Sequence, residues 1–232
     1  MIFGGLHKNS LIDFPAKIAC VLFTSGCNFA CPYCHNPDLA RGTVAADARF
    51  NETRAYDFLK NRSGFIDGVV ISGGEPTLQP DLAEVCKMIR QMGYPLKIDT
   101  NGSRPQVLKE LISRKLVDYI AMDIKADPAQ YPSVISKDMS SANILQSIRL
   151  IMGSGLDYEF KTTCVRPLVD GRVIEAICRS IRGAKRFALQ KFQHTDVLQP
   201  EFFKTFPAQY NRADLKKFQA LARPWVEACL VR

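Results

Sequence analysis

Three cysteines stand within eight positions of the stretch CNFACPYCH, at Cys27, Cys31 and Cys34. Three thiolates in one short loop repel one another unless a cation sits between them. A structural zinc needs a fourth ligand, typically from a second Cys or Cys/His pair. His35 directly follows Cys34, and neighbouring residues cannot both turn onto one small ion; His7 and His194 are distant in sequence. The other cysteines (Cys20, Cys86, Cys164, Cys178 and Cys229) lie singly in apolar strand and helix patterns, where a cysteine is a small core residue. A [4Fe–4S] cluster is larger than one ion and is normally held by four thiolates. With three, one iron keeps an open position, and an open position on a metal is where a substrate or cofactor binds. The spacing favours such a cluster over zinc, with a non-catalytic zinc or iron–sulfur module as the competing reading.

The loop must be positioned by the elements around it. Short apolar runs bounded by turn residues recur at 17–23, 68–72, 95–100, 119–124, 158–165 and 186–192, and read as buried parallel strands. Helical stripes separate them. Leu82, Val85, Ile89 and Met92 share a face ahead of Gly93; Val107, Leu108, Leu111 and Ile112 follow Pro105. Further helices are predicted over 140–152 and 171–182, from about Asn51 to Lys60 and from about Arg212 to Ala222. About six strand–helix units imply an α/β fold, best read as a partial, open (β/α)6 barrel, with an open doubly wound sheet as the alternative. Chemistry then belongs at the C-terminal ends of the strands. The polar insertions TSGCNFACPYCHN, GGEPT, TNGS and KADP fall there in succession.

The 232 residues read as one domain, with a core over about 15–194 and a helical C-terminal extension over 195–232. The net charge of +8 is spread along the chain without interleaved aromatics, which reads as a solvated basic surface rather than a nucleic-acid interface. No apolar run reaches the ~18 residues of a membrane span. No signal peptide is evident, so a cytoplasmic location with reduced thiols is expected.

Cys-x3-Cys-x-aromatic-Cys after the first of these strands, with Tyr33 at the aromatic position, resembles the signature of the radical S-adenosylmethionine (SAM) enzymes. In that family SAM chelates the unique iron. One electron from the cluster cleaves its sulfonium C–S bond, and the 5′-deoxyadenosyl radical produced abstracts hydrogen. A second motif agrees: SGGEP, Ser72–Pro76, stands where the family has Gly-Gly-Glu-Pro. Gly73 and Gly74 allow close backbone approach, and Glu75 can accept hydrogen bonds from the SAM ammonium. By itself this stretch reads as a strand-to-helix turn.

Within the superfamily, the continuation of Cys34 into His35 and Asn36, together with DTNG and MDIK, resembles the glycyl-radical-enzyme activating enzymes. The resemblance implies that Asp99, Thr100 and Asp123 lie by the SAM carboxylate and a monovalent cation. It implies SAM contacts for Tyr33, Cys34, His35, Gly73, Gly74, Glu75, Thr100, Asn101, Asp123, Lys125 and His194. Lys125 and His194 are the expected catalytic pair, and Tyr33 borders the adenine. The opening SLIDFPA most resembles the short anaerobic ribonucleotide reductase activating proteins, with Ala16 where glycine is usual. The expected partners are a glycyl radical enzyme, as protein substrate, and an electron donor such as flavodoxin or ferredoxin. No cysteine lies between Cys34 and Cys86, so a single cluster is expected. A pyruvate formate-lyase type of activase and a small-molecule enzyme of the 7-carboxy-7-deazaguanine synthase class are the alternatives.

Overall fold

Each of the six apolar runs forms a strand in the computed structural model, which describes residues 1–136, 140–193, 196–205 and 207–232. The chain divides into two compact units: the first holds 1–28, 38–100 and 106–120, the second 29–37, 101–105 and 121–232.

In the first unit, β2 (Ala19–Thr24), β4 (Gly68–Gly73) and β5 (Leu96–Thr100) pair parallel, with Cys20 opposite Val69 and Val69 opposite Leu96. Cys20, Leu22, Val69, Ile71, Leu96 and Ile98 are fully buried. A strand covered on both faces must be nearly all apolar. The helices α2 (Glu52–Asn61), α3 (Leu82–Gln91) and α4 (Pro105–Ser113) alternate with these strands. The Asn51 side chain accepts the Arg54 N–H at 3.1 Å and starts α2. Gly93 takes a left-handed φ of +88° just beyond α3, as its place in the sequence predicts.

The second unit holds the last three residues of β6 (Tyr119–Asp123) together with β7 (Asp157–Cys164), β8 (Phe187–Lys191) and β9 (Cys229–Val231), of which β7, β8 and β9 pair parallel in that order. The helices here are α5 (Ser141–Met152), α6 (Gly171–Ser180) and α7 (Arg212–Ala222). Asp170 caps α6 through the Val173 N–H, and Asn211 with Asp214 forms a reciprocal capping box on α7.

Several elements escape the periodicity. β1 (Ile2–Ser10) carries Gly4 and Gly5 at its centre and pairs antiparallel with β2 and with β3 (Phe50–Asn51). α1 (Pro37–Arg41) is only five residues long. β9 adds a strand where only helix is expected, and Arg232 behind it reaches Glu159 at 2.8 Å. Glu159 is buried, so this pair holds the end of the chain against the sheet.

One departure in the SLIDFPA segment has a structural cause. Phe14 to Lys17 is a tight turn, closed by the Lys17 N–H on the Phe14 carbonyl at 3.2 Å. Pro15 is at its second position and Ala16 at its third, with φ +58°. That position of a type II turn favours glycine, because a Cβ in the left-handed region costs ~1–2 kcal/mol. Glycine returns ~0.4–1 kcal/mol of that through unfolded-chain entropy. Ala16→Gly is therefore expected to stabilise the protein by about 0.5–1 kcal/mol in urea unfolding; a lower midpoint in the variant would refute the turn assignment.

Candidate functional site

The loop that leaves β2 is fastened before it reaches its cysteines. The N–H groups of Gly26 and Cys27 donate to the carbonyls of Leu39 (2.7 Å) and Ala40 (3.0 Å), in the last turn of α1. These are the carbonyls a helix end leaves without internal partners. The loop after β4 is then laid on the same backbone. Gly74 donates to the Thr24 carbonyl and Glu75 to the Gly26 carbonyl, both at 2.9 Å. A Cβ at Gly74 would stand 2.1 Å from the Gly26 oxygen, and one at Gly73, whose φ is +110°, would stand 2.5 Å from Thr24 backbone atoms. Both glycines are therefore required by contact rather than by flexibility.

Glu75 is buried, and its Oε1 accepts from the Thr77 N–H (3.0 Å), the Thr77 hydroxyl (2.5 Å) and the Thr100 hydroxyl (2.8 Å). Thr100 thus belongs with the glycine loop. Asp99 points to the other face of β5. Its carboxylate accepts from the Ser72 hydroxyl at 3.1 Å and pairs with the Lys97 ammonium at 2.8 Å. Lys97 is only 3% exposed and also donates to the Asp13 carbonyl. Asp13 in turn accepts from the Ser10 hydroxyl at 2.5 Å. Lys97 escapes motif reading because a lone lysine in an apolar run looks like a solvent-facing residue; its period-2 relation to Asp99 is the signal that could have placed it.

In the second unit, the loop continues through Cys31, Tyr33, Cys34 and His35. A turn closes from the Cys34 N–H to the Cys31 carbonyl at 3.0 Å. Cys31 and Tyr33 are buried, and Cys34 is partly exposed. Burial, with the Cys31 sulfur next, raises the Tyr33 phenol pKa well above its ordinary value. Its hydroxyl is buried without a hydrogen-bond partner among the described residues. The Tyr33 ring stands edge-on to Phe192 at 6.5 Å, and His35 lies tilted at 5.5 Å from the same ring. Burial lowers the His35 pKa and favours its neutral imidazole.

Asp123, at the end of β6, has Lys161 at 3.7 Å and Lys125 at 3.9 Å. The Lys125 N–H donates to the Tyr131 hydroxyl at 2.9 Å. Asn101 accepts the Ser103 N–H on its side chain, and the Gly102 carbonyl accepts from the Ser147 hydroxyl at 2.6 Å. Gly102 has φ +74°, and a Cβ there would stand 2.1 Å from the Met122 methyl. His194 lies outside the described residues.

The donor set fits an iron–sulfur cluster. Three of the eight cysteines, Cys27, Cys31 and Cys34, share one loop. Among the described residues no three His, Cys, Asp or Glu side chains are grouped to hold a single ion. Three soft thiolates on one loop suit iron–sulfur chemistry. The remaining cysteines behave differently: burial pushes Cys20, Cys86, Cys164 and Cys178 up to about 12, and Cys229, on the edge strand, to about 11. Such thiols stay protonated and inert. The chain also has no helix, among its described residues, long and apolar enough to cross a membrane.

Comparison with known proteins agrees with this arrangement. The Radical SAM superfamily model matches residues 21–181. A protein of Methanocaldococcus jannaschii, provisionally named a glycyl-radical enzyme activating enzyme, is 34% identical over 240 residues, covering all of this chain and 95% of its own. The pyruvate formate-lyase-activating enzyme of Clostridium pasteurianum is 29% identical over 208 residues, covering 84% of each. The crystal structure of QueE from Escherichia coli superposes with a TM-score of 0.56 at 15% identity, over all of this chain and 93% of that one, and shares the fold. The α/β class is as expected, and the cofactors implied are a [4Fe–4S] cluster and SAM. With its three-thiol loop, its contact-required glycines and a whole-length relative of this kind, the chain belongs to the radical SAM superfamily and, within it, to the glycyl-radical-enzyme activating family.

Proposed function

We propose that this protein activates a glycyl radical enzyme by removing a hydrogen atom from a glycine Cα of that partner, most specifically an anaerobic ribonucleoside-triphosphate reductase. The observation that carries the reading is the loop with three cysteines whose backbone seats the Gly73–Gly74–Glu75 turn. When bound, the cluster supplies one electron to SAM, and SAM supplies the radical that takes the hydrogen.

The residues of the chain bind and orient. Cys27, Cys31 and Cys34 ligate three irons. Gly73 and Gly74 present backbone to the amino acid end of SAM, and Glu75, anchored through Oε1, takes its ammonium. Thr100 and Asn101 line the same end. Asp123, Lys125 and His194 serve the carboxylate and the incoming substrate backbone, and Tyr33 and His35 border the adenine. A monovalent cation at Asp99, Thr100 and Asp123 belongs to the same reading, although Lys97 already supplies positive charge to Asp99. A flavodoxin or ferredoxin would deliver the electron, in the cytoplasm. The whole-length relative and the Cys-His-Asn continuation support an activase over a small-molecule enzyme. The SLIDFP segment supports the reductase over the pyruvate formate-lyase type.

Anaerobic reconstitution is expected to yield brown protein with about four iron and four sulfide per chain; colourless protein with one zinc would remove the proposal altogether. Incubation of the reduced protein and SAM with the reductase of the same source should give a glycyl radical signal by electron paramagnetic resonance. No signal with any of that organism's glycyl radical enzymes would transfer the reading to a small-molecule substrate. Cys31→Ala should abolish SAM cleavage while Cys86→Ala leaves it near wild type; equal loss in both would show the ligands misassigned.

Gly74→Ala tests the seat itself. Its methyl must push the turn off the Gly26 carbonyl, so SAM cleavage should fall by roughly 100-fold while iron content is retained. Wild-type turnover in that variant would mean that the turn does not position SAM.

A further inference from the structure

The chain beyond β8 crosses the cysteine loop and holds it by its carbonyls. The Leu198 N–H donates to the Cys34 carbonyl and the Gln199 N–H to the Pro32 carbonyl, both at 3.1 Å. The Gln199 side-chain amide donates to the Ala30 carbonyl at 3.0 Å. These are the carbonyls of alternate residues, two of them on either side of Cys31. A trans peptide unit is planar, with its N–H opposite its C=O. Pinning the carbonyls of residues 30, 32 and 34 therefore sets the direction of the N–H groups of Cys31, Tyr33 and His35, away from the crossing segment.

Apolar packing backs the same contact. Val197, Leu198 and Phe203 are buried. The Phe203 ring stacks on Phe192 at 5.4 Å and 27°, and Phe192 is the ring that meets Tyr33 and His35. The short 3-10 turn Pro200–Phe203 directs Phe203 inward. Hydrogen bonds and a stacked aromatic wall thus define the backbone between two of the three cysteines.

We propose that Val197–Phe203 is a strap that preorganises the cysteine loop, with Gln199 as its positioning residue. It acts through Cys31 and Cys34, not on SAM or substrate. By fixing the peptide units around these thiolates, it holds N–H dipoles in the direction that stabilises added negative charge on a cluster. Retention of the iron and the reduction potential then depend on a residue outside the ligand set. The inference rests on the reading that the loop carries a cluster, but its first test does not.

Gln199→Met keeps the volume and removes the donor; Gln199→Lys returns one; Lys204→Ala, an exposed neighbour in the same segment, is the control. In the cluster-free chain, hydrogen exchange over 30–35 should be about 2–13-fold faster in Gln199→Met, the loss of one net hydrogen bond. Gln199→Lys should recover part of the protection and Lys204→Ala should match wild type. After reconstitution, Gln199→Met should release iron to a chelator faster and show a more negative midpoint potential. Wild-type exchange in Gln199→Met, no recovery in Gln199→Lys, or an unchanged potential overturns the strap. A wild-type chain that holds no iron, while exchange responds as expected, overturns the cluster reading instead.

Discussion

The arrangement of the first unit's functional loops depends on one close approach of two backbones. Gly74 lies against Gly26 with no room for a Cβ, and the two hydrogen bonds from Gly74 and Glu75 convert that proximity into register. Gly26 in turn is held by α1 through Leu39, one residue before the first cysteine. The glycine turn and the start of the cysteine loop are therefore not two independent loops. They share one backbone contact at Gly26, and α1, though short, holds the other side of that residue. Its terminal carbonyls need donors, and the cysteine loop supplies them.

Charge is handled by a second constraint. β5 and β6 carry a carboxylate at or next to their C-terminal ends, and each has a lysine beside it: Lys97 for Asp99, and Lys125 with Lys161 for Asp123. A buried carboxylate without a partner would be costly or protonated. Lys97 goes further, because its second bond, to the Asp13 carbonyl, joins β5 to the SLIDFP segment. Ser10 and Asp13 close that segment on themselves. The segment that most narrows the resemblance is thus, in part, a device for seating one buried ammonium. Phe14 of the same segment is buried, whereas Leu11 and Ile12 are 77% and 86% exposed.

Much of this was legible in the residues. The six buried strands declare themselves because a parallel strand must be apolar on both faces, and the helices between them because their caps and stripes agree. Cys27, Cys31, Cys34 and the two glycines were readable because their chemistry requires particular residue types at particular spacing. β1 was not, since Gly4 and Gly5 break its pattern and both of its pairings are antiparallel. Lys97, Gln199 and Phe192 were not, because each acts through a contact that no local pattern encodes. Asp99 was read as a cation ligand from its motif; the structure adds that its nearest positive charge is already covalently part of the chain.

The most informative divergence lies in the C-terminal residues, which carry no recognisable motif. They supply a strand, an ion pair from Arg232 to the buried Glu159, and the crossing segment over the cysteine loop. Motifs mark groups that touch a ligand, since only those are tied to fixed chemistry. The groups that hold such residues in place can be replaced by many others with equal reach, so they leave no signature. A loop with three thiolates needs both kinds. Thiolates repel one another, and the turn from the Cys34 N–H to the Cys31 carbonyl spans only part of CNFACPYCH. Further restraint comes from elsewhere in the chain, and in this unit it includes donors on one side of alternate carbonyls, with an aromatic ring behind them.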